Sequence, residues 1–372
     1  MKPVLDLPSP NEQNEKINTP ETEKYHDLLR DNAEQFLAHP ALEKLIVASE
    51  ALGRLTDEDM AELVAAREAG KAEYLRSVAK LVQKAMDWRT APDGTILERW
   101  ETPKDSDLPP EYCEAIKQAG IELMMNDEVP VPNKKFSVGA VFGATVVPIA
   151  KRTDFFYDSL EDGVGQIDTL INLGAERPLG PVDRKNAEAY PYVNNASVET
   201  DLLDLAAIDW YTRHGYAAPK LSYYSRSTAL RWGPTYDTTY NIHTIDAEQS
   251  RPDWAPEMSF SLSAPYDKTH HPRANTGETL DFAMEITEVK PGDTMLVISH
   301  QPYLLGQLFE AQRVGIDHGV QVEGAGYGNL NPALPATVWG GEIAKAATKA
   351  NELLEAIAQA EAASSQEMPL AA

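Results

Sequence analysis

The sequence predicts an α/β protein, a mostly parallel sheet with helices on both faces, preceded by an α-helical region. Three observations predict it. From about residue 136 onward, short apolar runs alternate with segments of helical period, the pattern of repeated βα units. The run 294–298, Thr-Met-Leu-Val-Ile, shows no polar alternation, as in a strand buried on both faces. Residues 21–88, by contrast, carry apolar residues at three- and four-residue spacing throughout.

Size and charge narrow the possible functions. A chain of 372 residues buries a substantial core and holds one large domain or two smaller ones. Its 58 acidic and 33 basic residues give a net charge of −25, a field that repels polyphosphate backbones. Lys134-Lys135 and Lys151-Arg152 are too small to offset it, so nucleic acid is not an expected partner. No apolar run reaches the roughly 18 residues of a membrane helix, and the N-terminus shows no apolar secretory core. The single cysteine, Cys113, fits a reducing compartment, and the expected location is the cytoplasm.

Taken in order, residues 1–20 carry four prolines among polar residues and are expected to form a flexible arm. Residues 21–133 form the helical region. A break at His39-Pro40 divides two of its helices, and Thr56-Asp-Glu-Asp59 is a capping signature for a third. The Pro-rich link 129–133 marks the domain boundary. An α/β domain is expected over 134–345, opening with a strand at 136–147 and a helix from Lys151 to about Gly163. A second strand, 167–173, leads through Gly174 to a helix opened by Glu199 and stopped at His214-Gly215. Residues 220–274 read as a strand plus an insertion or lid. Asn275 then starts a helix, and the 294–298 strand runs through a polar loop, 299–302, into a helix stopped at Gly315. An Ala-rich helix from about Gly341 leads into a C-terminal helix and tail, 346–372.

Four polar clusters stand where strands end or helices begin: Gly143-Ala-Thr145, Gly174-Ala-Glu176-Arg177, Asn275-Thr276-Gly-Glu278 and Ser299-His300-Gln301. In an open parallel sheet such loops gather at the carboxyl edge, where ligands bind. Helix N-termini there suit phosphate or carboxylate, and Arg177 adds a bidentate anion contact. Each cluster also has a purely structural role open to it. The glycines serve tight turns, Asn275 with Glu278 forms a capping box, and Glu199 answers the helix dipole. His270-His271 lacks a third ligand at metal spacing, His243 and His318 are isolated, and no metal site is expected. The dinucleotide fingerprint GxGxxG is missing after the first strand, which argues against a dehydrogenase.

In their order, five segments resemble the SanA/ElyC/YdcF-like family of bacterial domains. They are Val141-Phe-Gly-Ala-Thr145, Leu173-Gly-Ala-Glu-Arg177, Glu199-Thr-Asp-Leu-Leu203, Thr276-Gly-Glu-Thr-Leu280 and Leu296-Val-Ile-Ser-His-Gln-Pro-Tyr303. The resemblance covers about residues 136–315. Tyr303 and Gln307 stand near the places where that family has a His and an Arg, and Thr279 replaces its Asn. The resemblance implies a Rossmann-like, doubly wound fold.

The expected function is therefore the binding of a phosphorylated or nucleotide-like small molecule at the sheet's carboxyl edge, with hydrolysis or group transfer on a phosphate or sugar ester as the fitting chemistry. Glu278 or Glu199 would be the general base and His300 the acid or orienting group. Gly143, Thr145, Gly174, Glu176, Arg177, Thr276, Ser299, Gln301 and Tyr303 would line the ligand. The sequence singles out no cofactor. The alternative is a non-catalytic regulatory module that docks a protein partner, or a second copy, through its N-terminal helices.

Overall fold

The computed structural model describes residues 20–88, 103–175, 177–217, 219–228, 238–246, 252–256, 258–263, 275–287, 289–329, 331 and 333–366. The expected arm before Pro20 and the tail beyond residue 366 lie outside these, as do Glu176 and the pair His270-His271. The protein has an α/β fold with an N-terminal helical region. It divides into two compact units, one holding Val129–His300 and Asp317–Tyr327, the other Asn18–Glu128, Gln301–Ile316 and Gly328–Ala372.

The N-terminal helices are α1 (Pro20–Leu37), α2 (Pro40–Ala51), α3 (Asp57–Ala69), α4 (Lys71–Met86) and α5 (Pro110–Glu122). Their boundaries follow local chemistry. Proline opens α2 and α5, where its missing N–H costs nothing. Before α3, Thr56 and Asp59 cap each other's backbone N–H groups at 2.8 and 3.3 Å. Lys84 pairs with the same carboxylate, and together these contacts hold Asp59 down to about 2.

The α/β unit contains β1 (Lys135–Phe142), α6 (Val146–Glu161), β2 (Gln166–Gly174), the short α7 (Pro181–Arg184) and α8 (Glu199–Arg213). Then come β3 (Lys220–Thr228), β4 (Thr238–Asp246), β5 (Met258–Ser263), α9 (Thr276–Ile286), β6 (Thr294–His300) and β7 (Gln321–Tyr327), while α10 (Leu304–His318), between β6 and β7 in the chain, belongs as far as Ile316 to the helical unit. The sheet order is β3-β4-β5-β2-β1-β6-β7. β5, β2, β1, β6 and β7 pair in parallel, and the β3–β4 hairpin adds antiparallel to β5. The stretch expected as a strand with an insertion or lid thus supplies three strands. One sheet face packs on α6 and α8, whose Ile149, Phe156, Leu202, Leu203 and Trp210 share a core with Val141, Leu170, Leu296 and Ile298. From β5 the chain returns past β2 and β1 to β6, and the right-handed rule for such crossovers assigns α9 to the opposite face.

Three boundaries differ from expectation. The strand expected over 136–147 ends at Phe142, and α6 begins at Val146, with Pro148 tolerated in its first turn. Ser299 and His300 complete β6 instead of opening a loop, because both still pair with β7. Gly315 lies inside α10, which stops four residues later at Gly319 (φ +67°).

In the helical unit, α11 (Ala336–Gln366) threads the core, placing Trp339, Ile343, Leu353 and Ile357 among Leu29, Val78, Leu81, Ile116 and Phe309. Fully burying each such side chain stabilises by about 1.5–3 kcal/mol. Among the described residues no helix is long and apolar enough to cross a membrane. Among the carboxylates buried in this unit, Glu310 lies 2.8 Å from Lys349 and 3.3 Å from Arg313. Burial pushes its carboxyl up, but the two cations outweigh burial and hold it below the usual range. Its contribution is therefore fully present above the unfolded value near pH 4.3 and is lost as pH falls through the lowered folded value. Glu310→Gln should cost about 2 kcal/mol in urea unfolding at pH 7. The gap from the parent should close in strong acid; an equal gap at both pH values would rule out the ion pair as its source.

Candidate functional site at the carboxyl edge of the sheet

From β1 the chain crosses to β2 and on to that side's edge at β3, returning through β4 to β5, and from β6 it winds the other way to β7. The winding reverses between β1 and β6, and the crevice beyond the carboxyl ends of those two strands is where doubly wound sheets place ligands. Gly143 follows β1 there and His300 ends β6.

Arg152 ties these two ends together. It rides the apolar stripe of α6 between Ile149 and Phe156 and is 2 % exposed. Its Nη1 donates to the carbonyls of Phe142 and, at 2.9 Å, Gly143. Its Nε and Nη2 lie 3.0 and 2.8 Å from Nδ1 of His300. A guanidinium has only donors, so Nδ1 accepts and the neutral ring carries its proton on Nε2. Tyr327, the last residue of β7, stacks on the same ring with centroids 5.0 Å apart.

A second charged group fixes the loops after β1 and β2. Arg177 donates to Glu199 at 2.9 Å and to Asp183 at 3.1 Å, and reaches the Ala144 carbonyl at 3.4 Å. Burial works against the Arg177 charge, but the two carboxylates outweigh it and its pKa is raised. Asp183 also accepts from the N–H of Val146, so it caps α6, while the side chain of Thr145 at the N-cap position makes no such bond. Glu199 is the first residue of α8 and is buried.

Two glycines let these parts meet. A Cβ on Gly143 would stand 2.1 Å from Glu199 Oε1 and 2.9 Å from the Leu173 carbonyl. One on Gly174 would stand 2.6 to 3.0 Å from Oγ1, Cα and N of Thr200. Neither glycine has a positive φ, so close approach, not turn geometry, is what each position demands.

The structure thus gathers Gly143, Arg177 and Glu199 around one ion-pair network, and joins His300 to Gly143 through Arg152. Ser299 is fully buried and, by strand alternation, faces away from His300. Thr276 opens α9, and Glu278 closes its capping box: Asn275 N–H donates to Glu278 at 2.8 Å, and Glu278 N–H to Asn275 Oδ1 at 3.0 Å. Gln301 and Tyr303 belong to the helical unit, where Gln301 Nε2 donates to the Met124 carbonyl at 3.3 Å. Sequence reasoning missed Arg152, Asp183, Thr200 and Tyr327. Arg152 left a signal, a charge on an otherwise apolar helical stripe.

Fold and site define a doubly wound α/β protein with buried charged groups tying the loops at its switch point. No known family model, curated protein or solved structure matches the chain. Gly174→Ala should cost about 1–3 kcal/mol in urea unfolding, since the methyl meets Thr200 backbone that has no room to yield. Arg177→Met should cost about 3 kcal/mol by removing the cation that Glu199 and Asp183 share. Unchanged midpoints in both would show that the loops repack freely.

Proposed function

We propose that the protein binds a phosphorylated or nucleotide-like small molecule at the carboxyl edge of its sheet, in a site of the SanA/ElyC/YdcF-like type. The observation that carries this reading is the buried Arg152–His300 pair at the switch point. It places a fixed cation and a neutral imidazole with an Nε2–H donor where the winding reverses, in a protein whose overall charge of −25 otherwise repels anions. The N-termini of α6 and α8, whose dipole ends favour anions, begin beside the same loops.

Hydrolysis or group transfer on a phosphate or sugar ester suits these groups. A neutral imidazole donates a hydrogen bond to a developing anion without first losing a proton. Glu199, held in place by Arg177, is the acid best situated to orient a water or hydroxyl nucleophile. The reaction would run in the cytoplasm, and the role of the five loops would be the one their family resemblance implies.

A second, non-catalytic reading draws on Glu278, whose carboxylate serves the N-terminal cap of α9. The exposed apolar side chains Val47, Ile121 and Met124 of the helical unit are what a protein-docking role would use.

A thermal-shift panel of nucleotides, sugar phosphates, S-adenosylmethionine and inorganic phosphate tests the first reading. A ligand at 100 times its dissociation constant should add roughly 2.7 kcal/mol of stability. His300→Ala should abolish that shift while keeping its own cooperative melt. Glu278→Gln should keep the shift and lose about 1 kcal/mol of stability, the worth of a cap. Silence of the wild type across the whole panel would sink the ligand-site reading and leave the docking module.

A further inference from the structure

The far ends of α6 and α8 hold a cluster that the carboxyl-edge site does not use. α6 finishes in acids where a helix favours bases. Asp158 and Glu161 stand in its last turn, Asp162 follows as C-cap, and the last turn contains no basic residue. The negative end of the helix dipole disfavours that placement. α8 ends nearby at its C-cap, His214. The ligand-type atoms of Asp158, Glu161 and His214 all lie within 4.8 Å of one another. Arg213, the basic residue next in sequence, is committed to Asp154 at 2.6 Å and Asp209 at 2.7 Å. Among the described residues no Lys or Arg pairs with Asp158 or Glu161.

Each of the three side chains is oriented by a group outside the trio. His214 Nδ1 lies 2.9 Å from the carbonyl of Trp210, to which it donates, and its ring stacks on the Trp210 indole at 4.0 Å. That tautomer leaves a lone pair on Nε2, which faces Asp158 Oδ1 at 3.8 Å. Asp158 Oδ1 accepts from Trp210 Nε1 at 2.8 Å, and Glu161 Oε1 accepts from the Tyr216 hydroxyl at 2.6 Å. A histidine tied back through one nitrogen to a main-chain carbonyl, with hydrogen-bonded carboxylates beside its other nitrogen, is the outer-shell arrangement of metal ligands. Two acids stand against the negative end of a helix, and the histidine beside them is, among the described residues, the basic group nearest to both.

We propose that Asp158, Glu161 and His214 bind one divalent transition-metal ion of the zinc or manganese class, with water completing its coordination. One nitrogen and two carboxylate oxygens suit those ions better than calcium, which takes oxygen ligands. The ion clips the end of α6 to the end of α8. α6 starts beside Gly143, and its 16 residues place the metal roughly 24 Å along the helix from that loop, so it serves the scaffold and not the reaction.

Calorimetric titration of the untagged protein with zinc chloride, and separately with manganese chloride, tests this. One ion should bind per chain and raise the melting temperature. His214→Gln and Asp158→Asn should each weaken binding by about tenfold or more, and His318→Gln should leave it unchanged. Metal-free melts of each variant establish that it is folded. Glu161→Gln, a change at an exposed carboxylate, provides the same readout should His214→Gln fail to fold. No saturable binding of either ion up to millimolar concentration overturns the proposal, and so does affinity retained in the folded variants. A His214–Asp158 ion pair without metal would give the first of those results.

Discussion

A guanidinium that is almost wholly buried persists only where acceptors are already waiting for it. Arg152 finds them in two carbonyls at the end of β1 and one imidazole nitrogen at the end of β6. Those strands meet at the reversal of the winding, and their pairing stops at Val141 and Ile298, short of the residues the arginine joins. The arginine supplies that join. It also settles the chemistry of His300, because a donor that has no acceptor of its own dictates which ring nitrogen keeps the proton. A lysine in its place would offer a single point of charge and could not serve carbonyls and imidazole in one plane.

The Arg177 network repeats the same logic one strand further out. One cation draws together a carboxylate at the head of α8, a carboxylate that caps α6, and the carbonyl of Ala144. The two glycines remove the side-chain volume that would hold these parts apart. Charge and close approach are thus mutually dependent: the ion pairs need short distances, and the short distances would leave like charges together without Arg177. Deeper in the same face, Asn172 reaches Ser261, which donates to Asp204 of α8, so even the polar atoms under the helices are consumed in seating them on β2 and β5.

Much of the fold was legible because its signals are periodic and local. The run 294–298 could hardly be other than an interior strand, and Thr56 with Asp59 announces a helix start in any context. Glu199 and Asn275 open helices where the sequence places them. What escaped depends on partners distant in sequence. The β-branched pair Val146-Val147 looks like strand until the ladder to β2 is seen to stop at Phe142. Ser299 and His300 look like loop until β7 is laid beside them. Gly143, Gly174, Glu199, His300 and Arg177 were visible as residues at element ends. Arg152 and Asp183 were not, because their meaning lies in acceptors and amides contributed by other segments. The grouping of α10 and α11 with the first five helices also exceeds what local pattern carries, since it is written only in which apolar faces meet.

That grouping has a consequence in time as well as in space. The chain visits the helical unit three times, at its beginning, after β6 and again after β7, and α11 fills the middle of that unit's core. Helices α1, α4 and α5 therefore cannot bury Leu29, Val78 or Ile116 fully until α11 has been made. The seven described strands, by contrast, are synthesised before α11 begins. The helices α1 to α5 precede every described strand in synthesis yet are finished after them, and a chain cut short before residue 336 would carry the seven described strands beside helices whose shared core lacks its central element.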